Sequence, residues 1–203
     1  DKKDLSISKQ TWYVGTAAKK AGAIQADMLQ NVWNTDKINL DRNKNNKLDY
    51  ILIEGEQTHF DALRRTNGFL ENSQNLPLNQ LTNLSADWQR NLASVKFSKL
   101  DTSIIQSAEA IICNNDDMAL GAWEALEEKG CTEVQVVGID GIEEVRELVD
   151  EDKILGSVLC DTKLHAKALM QFIDVLAFHN GSVEKLNLEN ERYYMIPLTK
   201  VEK

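Results

Sequence analysis

Cysteine is scarce in this 203-residue chain: Cys113, Cys131 and Cys160 are the three present, and they show no metal-ligand spacing. An odd count argues against a disulfide-built scaffold, and Cys113 and Cys160 each close an apolar run, where small buried thiols are common. A basic stripe is lacking too. The formal net charge of -9 disfavours a nucleic-acid backbone as partner. No apolar run approaches the length of a membrane span. There is no glycine-rich dinucleotide fingerprint, no P-loop and no internal repeat, and Gly138-Ile139-Asp140-Gly141 is only superficially like a cofactor loop. No serine or cysteine nucleophile has a recognisable context, and His59 with Asp61 is the only local acid–base pair, so an enzyme is not expected. The chain opens at Asp1 without a methionine, which is compatible with a leader removed by processing.

What remains is an ordinary globular composition, 42% hydrophobic and 27% charged, long enough for one domain or two small ones. Short apolar runs alternate with helical periods. Strands are expected at Trp12 to Val14, Tyr50 to Ile53, Gln80 to Leu84, Ala110 to Cys113, Val134 to Ile139, Ile154 to Leu159 and Tyr193 to Ile196. Helices are expected over 17–33, from an Asp61 cap to Glu71, from Ala86 through Val95 after a Ser85 cap, over Met118 to Lys129, over Ile142 to Val149 and from Thr162 to Phe178. Near-continuous apolar strands between helices predict an α/β fold, a Rossmann-like parallel sheet flanked by helices. Ligand residues in such a sheet collect beyond the C-terminal ends of the strands. Polar residues stand at those places repeatedly: Glu56 to Asp61, Asn114-Asn115-Asp116, Asp140, and Cys160-Asp161.

Two constellations suggest chemistry. The first is the loop Asp41 to Asp49, with oxygen-bearing side chains at Asp41, Asn43, Asn45 and Asp49 and a carbonyl at Lys47. That is the ligand order of an EF-hand calcium loop, although Asn46 replaces the sixth-position glycine and Leu52 the twelfth-position glutamate. A distant carboxylate is then required, and Glu109 reaches the loop if its strand pairs beside Tyr50 to Ile53. The expectation is a bound Ca2+. The second constellation is His59, Asp61 and Arg65, an imidazole, a carboxylate and a guanidinium fork within about one helical turn of each other, suited to a neutral polyhydroxyl ligand. Trp88 offers an aromatic plate for the C–H face of a sugar ring. Asn115 and Asp140 end two strands at the same expected sheet edge.

With these residues in place, the chain resembles the class I periplasmic sugar-binding proteins, in particular the galactose/glucose receptors. The likeness is carried by WYVGT at 12–16, DRNKNNKLDYILIEGE at 41–56, HFDALRR at 59–65, the region about Trp88, EAIICNNDDMALGAWEAL at 109–126, VVGID at 136–140 and ILGSVLCD at 154–161. It implies monosaccharide contacts from His59, Asp61, Arg65, Asn115 and Asp140, with Trp88 stacking. It implies calcium ligands at Asp41, Asn43, Asn45, Lys47 (carbonyl), Asp49 and Glu109. At Cys160 the family has Asn, so a weak thiol replaces an amide, and a poorly satisfied sugar hydroxyl costs about 1–3 kcal/mol.

The likeness matches roughly the C-terminal two thirds of that family's chain. It implies a calcium-bearing sugar lobe at 17–160, pieces of an incomplete second lobe at 1–16 and 161–196, and a tail at 197–203 returning to the first lobe. In the family the sugar lies in the cleft between two lobes. A companion polypeptide or further N-terminal part would complete the second lobe and cover Leu164, Leu169, Phe172 and Ile173. The implied role is extracytoplasmic, in the periplasm or anchored as a lipoprotein. It is either delivery of sugar to an ABC permease, with a part in chemotaxis, or sensing with a membrane partner. A calcium-stiffened interaction domain with a weakened sugar site is a further alternative.

Overall fold

The computed structural model describes residues 4–6, 8, 11–178 and 181–203. In chain order the elements are β1 (Tyr13–Gly15), α1 (Ala18–Thr35), α2 (Lys37–Leu40), β2 (Leu48–Glu54), α3 (Phe60–Asn72), β3 (Leu78–Ser85), α4 (Arg90–Ser98) and α5 (Thr102–Ser107). They continue with β4 (Ala110–Cys113), α6 (Asp116–Lys129), β5 (Gln135–Val137), α7 (Glu143–Asp150), β6 (Ser157–Cys160), α8 (Thr162–Ala177), a 3-10 turn (Val183–Lys185), β7 (Tyr193–Met195) and β8 (Leu198–Val201). The chain divides into two compact units, one of residues 18–159 with 200–203 and one of residues 1–17 with 160–199.

The larger unit is built on four parallel strands in the order β3-β2-β4-β5. The all-apolar run Ala110 to Cys113 becomes a strand buried along its whole length, as expected for a sheet covered on both faces. β2 is central and buried from Leu48 to Ile53. Ile51, Ile53, Ile111, Cys113 and Val136 from the strands meet Phe97, Ile105, Met118 and Leu126 in one continuous core. Beyond β5, Leu155 and Gly138 pair the next segment to the sheet edge through hydrogen bonds to Val136 and Gly156 carbonyls, both 3.0 Å. β6 and β8 form a separate two-stranded sheet. Helices α1 and α3 approach unusually closely: a Cβ on Gly22 would lie 1.9 Å from the Arg65 carbonyl oxygen, and one on Gly68 would lie 2.0 Å from that of Lys19.

The smaller unit pairs β1 with β7 in parallel, Tyr13 opposite Tyr193. Phe172 of α8 packs against Trp12 at 6.4 Å and Tyr194 at 6.2 Å between ring centres. Leu164, Leu169, Met170, Ile173 and Leu176 of the same helix, and Phe178 just after it, are exposed. Phe172 therefore departs from the expectation that it lies bare, because Trp12 and Tyr194 already cover it.

Local differences from the sequence reading have physical causes. His59, not Asp61, caps α3: its Nδ1 accepts the Asp61 amide at 3.1 Å. No helix begins at Ala86, since Asp87 and Trp88 both take positive φ, 47° and 68°, and α4 starts only at Arg90. The short α2 and α5 and the terminal β8 carry no period long enough to announce them. Among the described residues no helix is long and apolar enough to cross a membrane.

Candidate functional site

The C-terminal ends of β2, β4 and β5 carry the polar residues of the larger unit. At the β2 end the chain turns through Gly55 into α3, and this helix presents Arg65. The Arg65 guanidinium lies over the Trp88 ring, 5.5 Å from its centre. Its Nη1 donates to the Asn114 carbonyl at 2.5 Å and stands 3.5 Å from Asp140 Oδ1. His59 meets the same indole edge-on, with 5.2 Å between ring centres. From the β4 end, Asn115 caps α6 by accepting the Met118 amide at 3.1 Å, and its Nδ2 donates to the Trp88 carbonyl at 3.2 Å. His59, Arg65, Trp88, Asn115 and Asp140 thus come together. Asp61 sits in the first turn of α3, its amide held by His59. Cys160 ends β6 and belongs to the smaller unit.

Asp140 takes φ 132°, a backbone region that non-glycine residues rarely enter, at a typical cost of about 1–3 kcal/mol. Burial pushes its carboxyl up from 3.8 to about 6, opposed by the Arg65 charge and reinforced by Asp116 and Asp117. A guanidinium, a carboxylate, an imidazole and an amide around an indole can donate to and accept from the hydroxyls of a neutral ligand while the ring covers its C–H face.

Several supporting residues carried no sequence signal of their part in the site, Asn114 alone having stood in a polar segment at a strand end. A Cβ on Gly55 would fall 2.4 Å from indole atoms, so glycine makes the room for Trp88. Buried Asn114 accepts the Gly55 amide at 3.2 Å and donates to Thr66 Oγ1 at 3.1 Å. Gln25 of α1 is fully buried and its Nε2 donates to the carbonyls of Cys113, Val137 and Gly138 at 2.8, 3.3 and 3.2 Å, joining the ends of β4 and β5. These contacts span about ninety residues or more of chain, beyond the reach of any local pattern.

The loop at 41–49 corrects the calcium expectation. Among the described residues, no group of three or more His, Cys, Asp or Glu side chains comes together that could hold a metal ion. Most of the loop's side-chain oxygens accept from N–H groups instead, buried Asp41 Oδ1 being the exception. Asn43 Nδ2 and Asn45 Nδ2 both donate to Asp49 Oδ2, at 2.6 and 2.9 Å. Asp41 Oδ2 accepts the Asn46 amide at 3.0 Å, and Asn45 Oδ1 accepts that of Lys47 at 2.7 Å. Glu109 does reach the loop, because β4 pairs beside β2 with Ala110 opposite Tyr50. There its oxygens accept the amides of Asn43 and Asp49, at 3.5 and 3.0 Å. Asp41, Asn43, Asn45, Lys47, Asp49 and Glu109 are a hydrogen-bonded loop closure. Burial holds the Glu109 carboxyl above its ordinary pKa, opposed by the backbone amides of Asp49 and Asn43, which favour its charged form.

Comparison with known proteins agrees with this architecture. The periplasmic binding protein domain profile matches residues 2–180. This chain belongs to that family. The D-galactose/methyl-galactoside binding periplasmic protein MglB of Haemophilus influenzae is 33% identical over 99% of this chain and 61% of its own length. The xylitol-binding protein of Mycolicibacterium smegmatis is 31% identical over 56% of this chain and 31% of its own. In fold, this periplasmic binding protein domain is similar to an ABC transporter solute binding protein from Bacillus halodurans with bound myo-inositol, with TM-score 0.74, 23% identity and coverage of 100% and 64%. A periplasmic solute binding protein from Actinobacillus succinogenes with bound D-allose gives TM-score 0.75 at 20% identity, covering 94% and 60%. The chain thus spans about three fifths of the length of relatives such as the Haemophilus protein. The family is one of non-catalytic solute-binding domains, consistent with an extracytoplasmic location.

Proposed function

We propose that this domain binds a glucose- or galactose-like monosaccharide at the C-terminal edge of its four-stranded sheet, as the soluble receptor of an ABC-type uptake system. One observation carries the reading: the Arg65 guanidinium stands over the Trp88 ring while standing 3.5 Å from Asp140. A stacking face and a fixed set of donors and acceptors thus share one place, the requirement for a neutral ring sugar. His59 and Asn115 extend the set around the same indole, and Asp61 is assigned to it as a further acceptor. The similarity to a galactoside-binding relative along 99% of the chain supports the choice of sugar, and the similarity to ABC transporter binding proteins supports a permease as partner.

We further propose that residues 1–16 and 161–196 belong to a lobe that another segment completes. The exposed apolar side chains of α8 support this, since a row of such residues marks a surface meant to be covered.

Calorimetric titration with D-glucose and D-galactose tests the site. Saturable binding that is lost in Arg65→Ala supports the reading, and binding undiminished by that substitution would exclude this edge.

A further inference from the structure

The loop that carries Asp140 is held by a buried carboxylate outside the set of sugar contacts. Asp116, the first residue of α6, is completely buried, as is Ser157 at the start of β6. Asp116 Oδ1 accepts the Ser157 hydroxyl at 2.6 Å, and Oδ2 accepts the Ile142 amide at 2.9 Å. The same hydroxyl oxygen accepts the Gly141 amide at 3.2 Å. On the other side of Asp140, the carboxylate lies against the bare Cα of Gly138, where a Cβ would stand 2.0 Å from Oδ1. Asp140 is thus bracketed by Gly138, whose bare Cα leaves room for the carboxylate, and by Gly141 and Ile142, whose amides are fastened to one hydroxyl and one carboxylate.

That fastening explains how Asp140 holds φ 132°. Strained backbone persists only where its surroundings over-determine it. Hydrogen bonds to a charged acceptor are among the stronger ones a protein makes. A buried carboxylate with both oxygens engaged is also costly to leave half-satisfied, so the loop has one favourable arrangement.

We propose that Asp116, acting through Ser157 and the Gly141–Ile142 amides, is the positioning residue that fixes the Asp140 carboxylate toward Arg65. The proposal rests on the sugar-binding reading for its functional meaning, but its geometry can be tested without a ligand. Ser157→Ala removes the hydroxyl link and leaves the Asp116 charge in place. Carbon-13 NMR titration of the Asp140 carboxyl then reports the loop alone. As the carboxylate gains water, its midpoint falls from about 6 toward 3.8. An unchanged midpoint in the folded variant overturns the assignment. Ser157→Cys, which nearly keeps the volume and weakens the donor, is read in the same way if Ser157→Ala does not fold.

A second arm uses D-galactose in calorimetry. Asp116→Asn weakens binding about tenfold in the wild-type background, the loss of one charge-assisted hydrogen bond, and weakens it no further in an Asp140→Asn background. Equal losses in both backgrounds indicate a general packing role and overturn the proposal. If wild type binds no galactose while the Asp140 midpoint moves as stated, the positioning role stands and the sugar reading is the part that fails.

Discussion

The Trp88 indole rests on the bare Cα of Gly55, so near that a Cβ there would come within 2.6 Å of three ring atoms. Gly55 follows directly after β2, and Trp88 sits on a left-handed turn after β3, so two neighbouring parallel strands set the height of the plate. Gly55→Ala must displace the ring and disturb its contacts with His59 and Arg65. The expected loss is about 1–3 kcal/mol of stability, typical of overpacking. It should come with a changed near-ultraviolet circular dichroism signal from tryptophan. A variant with unaltered tryptophan dichroism and urea midpoint contradicts this account of Trp88.

Asp140 makes stability depend on pH in a defined direction. Its carboxyl titrates at about 6 in the folded chain against 3.8 for an ordinary one. The folded state therefore holds this proton more tightly than the unfolded state does. The resulting stabilisation is complete below the ordinary value and is lost as pH rises through the folded one. Asp140→Asn stays neutral and removes the effect. Urea midpoints of the two proteins, followed from about pH 4 to about pH 7, should diverge in favour of the variant as pH rises across that window. Parallel curves contradict the assignment.

Much of the larger unit could be read from apolar runs. Ala110 to Cys113 is a strand as written, and Asn115 caps the helix that follows. The pairing of β2 with β4, which brings Glu109 to the 41–49 loop, is only a condition at the level of the sequence, because the order of the runs does not say which strands are neighbours. The loop itself misled, because spacing names oxygens without saying what they accept: here the amides of Asn43 and Asn45 point at Asp49 and supply the protons. Trp88 was legible as an aromatic plate but not as a left-handed turn, since positive φ at a tryptophan is imposed by packing against Gly55 rather than by propensity. Gln25 was illegible as part of the site, and Asp116, although it stands in the polar segment after Ala110 to Cys113, was illegible as a buried support, both for a simpler reason. Their partners are on distant strands, and neither residue type announces a buried role.

Gln25 offers a clean test of one such partner. Its Nε2 is the donor shared by three carbonyls at the ends of β4 and β5. Gln25→Leu keeps the bulk and leaves those acceptors without this donor, for an expected loss of about 1–3 kcal/mol. Gln25→Glu places a carboxylate against the same carbonyls, so it should be the worse variant at neutral pH and recover part of its stability in acid. Urea unfolding at two pH values distinguishes these outcomes. A neutral effect of both substitutions removes Gln25 from the account.

The exposed face of α8 should govern association of the isolated chain. Leu169, Met170 and Ile173 are all open to solvent. Sedimentation velocity is expected to show concentration-dependent self-association that Leu169→Glu with Ile173→Lys suppresses, with the larger unit still folded. A wild-type chain that stays monomeric over the whole concentration range shows that this face needs no cover.

The sugar site is tested most directly by watching the plate itself. D-Glucose and D-galactose are titrated into nitrogen-15-labelled protein while the Trp88 indole N–H resonance is followed in wild type and in Arg65→Ala. Saturable displacement of that resonance by at least one sugar, abolished in Arg65→Ala, is the predicted result. An indole signal that stays fixed through the titration with both sugars, or that moves equally in the variant, would contradict it.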